Sequence, residues 1–266
     1  MIKSPRQKVL DREVLSGTWL VLGSSLSTEI AGQAGFDWVL LDQEHGMGGF
    51  DHLLHDLQAL GGTPATPIVR VAWNDPVLVK RVLDVGAAGV MFPYVNTAEE
   101  ALLAAKSMRY PPQGIRGLTP LNRPGAFGCD FEQYFANANV EIITVVQIET
   151  EQAVQNAEAI ARVEGVDALF IGPMDLSLGM GVFRQFDHPK YRDAKATVVN
   201  ACRAAGKAAG ILLLKPEQVA PTVAEGFTLI ALGSDGGQLA AGMRQLAASF
   251  HGLKPQESDS QKPAQA

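Results

Sequence analysis

Apolar residues in this chain come in short unbroken runs rather than in alternation. The runs are TWLVLG (18–23), WVLLD (38–42), PIVRVA (67–72), GVMFPYV (89–95), IITVVQIE (142–149), ALFIG (168–172), AAGILLL (208–214) and LIALGS (229–234). Strands buried on both faces read this way, whereas a half-exposed strand alternates apolar with polar. Between the runs lie segments punctuated as helices. SLSTEIAGQAG (25–35) opens on Ser and stops at Gly, and DPVLVKRVLDVG (75–86) opens on Asp-Pro, a cap followed by a first-turn proline. TAEEALLAAKSMR (97–109) pairs Thr97 with Glu100 as a capping box and ends on basic residues. QAVQNAEAIARVEG (152–165), PEQVAPTVAEG (216–226) and QLAAGMRQLAASF (238–250) behave alike, with Pro221 expected to kink or shorten its helix.

Eight repeats of strand then helix predict an α/β fold of the (β/α)8 TIM-barrel type. A doubly wound sheet is the alternative, but it rarely needs eight units. Residues 110–140 resist the alternation; they are rich in proline and glycine, and so long a connection is expected to be a functional loop.

The length of 266 residues suits one such barrel, here assigned to residues 1–251, and 47 % hydrophobic with 19 % charged residues is ordinary for a globular protein. A net charge of −6 and arginines that occur singly argue against a nucleic-acid partner. Cys129 and Cys202 stand far apart with no CxxC pattern, which suits a reducing cytoplasm and gives no zinc signature. The N-terminal MIKSPRQKVLDREVL lacks the apolar centre of a signal peptide, and no apolar run approaches the roughly 18 residues needed to cross a bilayer. A soluble cytoplasmic protein without a membrane partner is expected. The polar, proline-bearing stretch 252–266 reads as a disordered tail.

Candidate chemistry gathers where the strands end, the face on which sites of such barrels lie. The second strand ends in Asp42, followed by Glu44 and His45. Arg70 sits within the third, Gln147 and Glu149 close the fifth, Asp175 follows the sixth, and Ser234 and Asp235 close the eighth. Each has a plainer reading. Asp175 could cap the next helix, Arg70 could form a core ion pair, His45 could be a surface histidine, and Glu44 and Asp235 read as caps or loop residues. Glu149, ending an apolar run, is harder to explain structurally. Glu149 and Asp175 together can hold one divalent cation, and oxygen-only ligation favours magnesium or manganese over zinc. A 2-oxo acid would chelate such an ion, Arg70 would stabilise the enolate, and His45, oriented by an acid such as Asp42, would move a proton.

The segments DWVLLDQEHG, VRVAWNDPVLVKRVLDVGAAGVMFP, RYPPQGIRG, VVQIET and EGVDALFIGPMDLS resemble those of the HpcH/HpaI aldolases, over about residues 15–250. The resemblance implies a metal-dependent 2-oxo acid aldolase on a pyruvate-type barrel, taking magnesium, manganese or cobalt. It implies Glu149 and Asp175 as metal ligands, Arg70 as the residue on pyruvate and its enolate, and His45 as the catalytic histidine beside Asp42. Asp84 matches an acid that reaches the histidine of an adjacent subunit, and Gly172, Pro173 and Met174 match the wall that holds the pyruvate carboxylate. A homohexamer, built as a dimer of trimers with the last helix packed on a neighbour, is also implied. The chain departs from the pattern at Met174, where a small residue is usual, and at Gln43, where glycine is usual. The loop LTPLNRPGAFGCDFEQYF is nearer to the keto-deoxy-glucarate aldolase branch than to the heptanedioate branch. Its Arg123 could meet an acidic or hydroxylated aldehyde, or instead be a loop arginine or an inter-subunit ion pair. Leu212 to Leu214 are expected on the aldehyde side.

The leading expectation is reversible cleavage of a 4-hydroxy-2-oxo acid to pyruvate, or a donor such as hydroxypyruvate, plus an aldehyde, in the catabolism of aromatic or sugar acids. A CoA-ester lyase on the same barrel is the alternative, although no basic cluster for CoA is visible. A Schiff base on Lys215 and a non-catalytic binding barrel are the remaining readings.

Overall fold

A computed structural model describes residues 3–251; the tail expected at 252–266 lies outside them. Eight strands form: β1 (Leu15–Leu20), β2 (Trp38–Asp42), β3 (Thr66–Arg70), β4 (Gly89–Phe92), β5 (Ile143–Ile148), β6 (Ala168–Ile171), β7 (Ala208–Leu213) and β8 (Leu229–Ser234). All pair in parallel, each with the next, and β8 returns to β1, so the sheet closes into a barrel. The helices are α1 (Pro5–Leu10), α2 (Ser25–Gln33), α3 (Phe50–Leu60), α4 (Pro76–Asp84), α5 (Ala98–Ser107), α6 (Phe131–Glu141), α7 (Glu151–Gln155), α8 (Ala157–Ala161), α9 (Pro173–Gly179), α10 (Pro189–Ala205), α11 (Val219–Glu225) and α12 (Asp235–His251).

The unbroken apolar runs have a physical reason in this arrangement. Side chains alternate across each strand, and both faces are covered. Val39, Leu41, Val69, Val146, Leu169 and Ile171 point outward into the shell shared with the helices. Trp38, Leu40, Ile68, Met91, Val145 and Phe170 point inward and fill the barrel. Trp19 packs on Phe170 with ring centroids 5.5 Å apart, and Trp38 meets Phe170 edge-on at 6.1 Å. Burying Phe170 in this way contributes about 2 kcal/mol. Gly17 is required beside Trp38, because a Cβ there would lie 2.2 Å from the indole. The same inward row, extended toward the strand ends, carries Asp42, Arg70, Gln147, Glu149 and Leu212 above the aromatic layer.

Several expectations need correction. The first strand pairs from Leu15 to Leu20 rather than 18–23, because Val21 leaves the ladder: its N–H donates to Asp235 Oδ1 at 2.8 Å, and its carbonyl accepts from Met47 N at 2.8 Å. The helix expected at 152–165 breaks at Asn156 into α7 and α8. The segment 110–140 is not one long loop: it ends in α6, and it joins a helix to the following strand. That places it on the N-terminal face of the barrel, away from the strand ends that form the cavity. The capping box of Thr97 and Glu100 forms as the spacing predicts.

Candidate active site

The register of β2 on β3 sets Asp42 directly beside Arg70. Arg70 Nε donates to Asp42 Oδ1 at 2.9 Å and Nη2 to Oδ2 at 2.6 Å, a two-pronged ion pair. Nη1 is left facing Gln147 Oε1 at 3.5 Å and Glu44 Oε2 at 2.9 Å, the latter as a charge pair off the hydrogen-bond axis. The Trp19 ring covers the guanidinium at 5.5 Å. Arg70 is only 7 % exposed. Burial alone would lower its pKa, but the Asp42, Glu44 and Glu149 carboxylates outweigh that and raise it. The core ion pair offered as the plain reading is therefore present, and the same guanidinium also lines the cavity.

Asp42 does not orient the His45 ring. Its oxygens are consumed by Arg70 and by the backbone N–H groups of Glu44 (3.0 Å) and His45 (3.2 Å). The imidazole instead lies 3.7 Å from Glu44 Oε1, with most of its side chain in solvent. Burial raises the pKa of Glu44, opposed by Arg70 and His45. Glu44, read from sequence as a loop or cap residue, thus links the arginine to the histidine.

Across the cavity stands Glu149, 3 % exposed. Its Oε2 accepts from Tyr94 N at 3.1 Å, while Oε1 accepts no hydrogen bond among the described residues. Burial pushes its pKa up to about 7; the Tyr94 N–H opposes the shift and the nearby Asp175 adds to it. Gly172 permits this placement, since a Cβ on it would come 2.3 Å from Glu149 Oε1. Asp175 is not the cap of the next helix. Gly172 occupies the cap position of α9, and Asp175 falls in the first turn beyond Pro173.

These groups line one cavity of about 520 Å³ at the C-terminal ends of the strands. Trp19 and Phe170 lie at its base, Gly172, Pro173, Met174 and Leu212 along one side, with Ser234 at the end of β8 and Gln238 early in α12. Leu214 also lines it, whereas Leu213 points into the outer shell. Asp235 serves the fold, binding Val21 N and the Ser27 hydroxyl at 2.9 Å.

Two residues singled out from sequence lie elsewhere. Asp84 ends α4 at the opposite face and pairs with Arg116 Nη2 at 2.9 Å. Arg123 is held at that same face, donating to the carbonyls of Val85 (2.9 Å) and Leu57 (3.4 Å). Within one chain, therefore, Arg123 does not meet a substrate in this cavity. Lys215 is exposed and is not among the cavity's lining residues. Sequence reasoning named Glu44 only as a cap or loop residue and missed Trp19, Phe170, Tyr94 and Gln238; the inward parity of β1 and β6 is the signal that would have found Trp19 and Phe170. Among the described residues no three His, Cys, Asp or Glu side chains converge as a metal cage. The cavity offers a carboxylate pair, the donor set from which a hard cation keeps room for water and substrate oxygens.

The sequence profile described as HpcH/HpaI aldolase/citrate lyase matches residues 15–241. A protein of Escherichia coli (strain K12) named 5-keto-4-deoxy-D-glucarate aldolase is 41 % identical over 239 residues, covering 90 % of this chain and 93 % of that protein. The crystal structure of a HpcH/HpaI aldolase/citrate lyase family protein from Burkholderia cenocepacia J2315 superposes with a TM-score of 0.88 at 35 % identity, covering 92 % of this chain and 98 % of the other. That of a HpcH/HpaI aldolase from Desulfitobacterium hafniense DCB-2 gives 0.83 at 28 % identity, with 96 % and 98 % covered.

Proposed function

The chain belongs to the HpcH/HpaI aldolase/citrate lyase family, and from that membership and the cavity together we propose a class II, divalent-metal-dependent aldolase. It reversibly cleaves a 4-hydroxy-2-oxo acid to pyruvate, or to a pyruvate-like donor such as hydroxypyruvate, plus an aldehyde. One observation carries this reading: a buried, permanently charged Arg70 faces a buried carboxylate, Glu149, across a cavity whose remaining walls are mostly apolar.

The donor set fits a hard cation such as magnesium or manganese, and cobalt is the further divalent ion that the family resemblance implies. Glu149 Oε1 has no other partner among the described residues, and its carboxyl is pushed up to about 7 by burial next to Asp175, as expected of an acid lacking a compensating cation. When bound between Glu149 and Asp175, the ion would supply Lewis-acid stabilisation of negative charge on the donor. The protein's own groups do the rest. Asp42 holds the Arg70 fork, leaving Nη1 to donate to the keto oxygen or carboxylate as charge develops there. Gln147 adds a polar group on the same row, and the Gly172–Met174 segment walls the donor carboxylate. In cleavage the C4 hydroxyl loses its proton, the C3–C4 bond breaks, and its electron pair passes to the enolate; a proton delivered to C3 completes the keto acid. His45, exposed and close to Glu44, moves these protons. Leu212, Ser234 and Gln238 face the aldehyde side.

The similarity to a protein named 5-keto-4-deoxy-D-glucarate aldolase favours a sugar-acid substrate. A coupled assay should detect pyruvate released from 5-keto-4-deoxy-D-glucarate and no cleavage of malyl-CoA. Cleavage of malyl-CoA without pyruvate release from any 4-hydroxy-2-oxo acid would overturn the aldolase reading. Arg70 is the lone arginine or lysine lining the cavity among the described residues, so the cavity carries no basic cluster for the phosphates of CoA.

The assembly proposed is a homohexamer in which α12 packs on a neighbouring copy. Leu239, Met243, Leu246 and Phe250 recur on one face of α12 at helical spacing, and each is more than half exposed in the single chain. Replacing Met243 and Leu246 together by Glu should lower the mass seen by light scattering while leaving the barrel folded. An unchanged mass would exclude this face from the assembly. The two cysteines are free thiols, in keeping with a cytoplasmic home, and no described helix is long and apolar enough to cross a membrane.

A further inference from the structure

The N-terminal face of the barrel, opposite the proposed active site, holds a second cavity of about 280 Å³ that has no part in the proposed catalysis. Three cations line it. Arg12 lies between α1 and β1, Arg203 in the last turn of α10, and Lys207 between α10 and β7. None of the three has an ion-pair partner among the described residues. The chain carries 28 acidic against 22 basic residues, so acids to pair with them are not scarce. The carboxylate that does line the cavity, Asp11, is already engaged. Its Oδ2 lies 2.7 Å from Lys3 Nζ, and its Oδ1 accepts from Gln7 Nε2 at 2.7 Å. The Cys202 thiol also lines the cavity, and burial pushes its pKa up to about 12, so it adds no negative charge.

Local structure holds each cation at the cavity. Arg12 adopts a φ of 56°, the left-handed position that closes α1: its N–H donates to the Val9 carbonyl at 3.0 Å, and Glu13 N donates to the Lys8 carbonyl at 3.1 Å. Glycine is the usual residue at such a position. An arginine there is strained, and its guanidinium has no ion pair among the described residues to offset that. The Arg203 guanidinium lies over Gly226, where a Cβ would stand 3.0 Å from Nη2, and Nη1 reaches only the Asn200 side-chain oxygen at 3.4 Å. Lys207 is half-buried; its Nζ donates to the Val166 carbonyl at 2.6 Å and has two further protons to give. Burial lowers its pKa, with Asp167 opposing the shift, as expected of a lysine that lacks an anion beside it. The buried hydroxyl of Thr228, another lining residue, has no hydrogen-bond partner among the described residues. Basic residues at helix C-termini complement the helix dipole, which accounts for Arg203. That effect does not require a strained arginine after a helix of six residues, nor an orphaned hydroxyl. We propose that this cavity is a binding site for a small multivalent oxyanion, a phosphoryl or polycarboxylate group held by Arg12, Arg203 and Lys207. A cavity of this size suits such an ion rather than a drug-sized molecule. Basic side chains converging in a recess raise the local anion concentration and give charge-assisted bonds to several oxygens at once.

The test is isothermal titration calorimetry with inorganic pyrophosphate and, separately, with citrate. It uses metal-free protein in chloride buffer, as wild type, Arg12→Gly and Arg203→Gln. Glycine accepts the positive φ without strain, so Arg12→Gly should melt no earlier than the wild type. It should nevertheless bind the tighter of the two anions at least about tenfold more weakly, the loss expected for one hydrogen bond between charged groups. Arg203→Gln should lose affinity in the same way. Whichever anion binds the wild type more tightly tells a phosphoryl ligand from a polycarboxylate one. Both variants should release pyruvate at the wild-type rate, because the cavity lies at the far face of the barrel. A wild type that binds neither anion, or equal affinities in all three proteins, would overturn the site.

Discussion

Alanine at Arg70 is expected to lower kcat/KM by at least about a thousandfold, since it removes the cation that faces the developing enolate in a water-poor cavity. The same change leaves the Asp42 carboxylate, 3 % exposed, without its charge partner. Breaking a buried pair from one side costs about 3–5 kcal/mol, so the variant should also melt much earlier. Lysine separates the two effects. It restores a positive charge near Asp42 but cannot present two prongs to that carboxylate and a third nitrogen to the cavity. Arg70→Lys should therefore recover most of the melting temperature and still lose about a hundredfold in kcat/KM. Thermal melts and pyruvate-release kinetics on both variants decide the matter; a folded enzyme with either substitution and wild-type turnover would remove Arg70 from the chemistry.

Glu149→Gln should be as damaging to activity, at least about a thousandfold, while making the metal-free protein more stable at alkaline pH. The sign follows from burial, which raises the carboxyl from 4.5 to about 7. Below pH 4.5 the folded and unfolded chains are both protonated and the acid costs nothing extra. Between pH 4.5 and 7 the folded state keeps a proton that the unfolded state has released, so stability falls as pH rises. The full span corresponds to about 3 kcal/mol. With a chelator present, the wild type should lose melting temperature between pH 5 and pH 8, and Glu149→Gln should lack that component. Manganese added at pH 8 should restore the wild type only. Identical pH profiles for the two proteins would contradict a buried, uncompensated acid at this position.

The barrel was legible because its strands are buried twice over. A chain cannot hide both faces of a strand without an unbroken apolar run, and all eight runs became strands. Their ends were less legible: β1 stops at Leu20 because Val21 is drawn off by Asp235, a contact 214 residues away in sequence. Helices were harder where their buried faces are small. α10 packs Ala194, Ala201 and Cys202 beside Tyr191, Val198 and Val199, and alanines recur among its mostly polar other positions, so the periodicity is faint. α6 buries Ala138 alone. Without α6, the side of the barrel on which Arg123 lies could not be read: a helix-to-strand connection runs to the N-terminal face.

In the site, Asp42, Arg70, Gln147 and Glu149 could be seen because a polar residue in an apolar run stands out. Trp19 and Phe170 did not stand out, since an aromatic at the base of a cavity looks like any other core residue until the inward parity of its strand is read. Glu44 and Tyr94 depend on loop conformation: one acts through an ion pair across two strands, the other through a positive φ.

The chemistry proposed for this cavity is the making of an enolate from a 2-oxo acid with the help of a divalent cation. The most direct measurement is methyl-proton exchange of pyruvate in heavy water, followed by NMR, with and without a chelator. Exchange should stop on chelation, return with manganese or magnesium, and be lost in Arg70→Lys and Glu149→Gln. Exchange that survives chelation and persists in Glu149→Gln would contradict it.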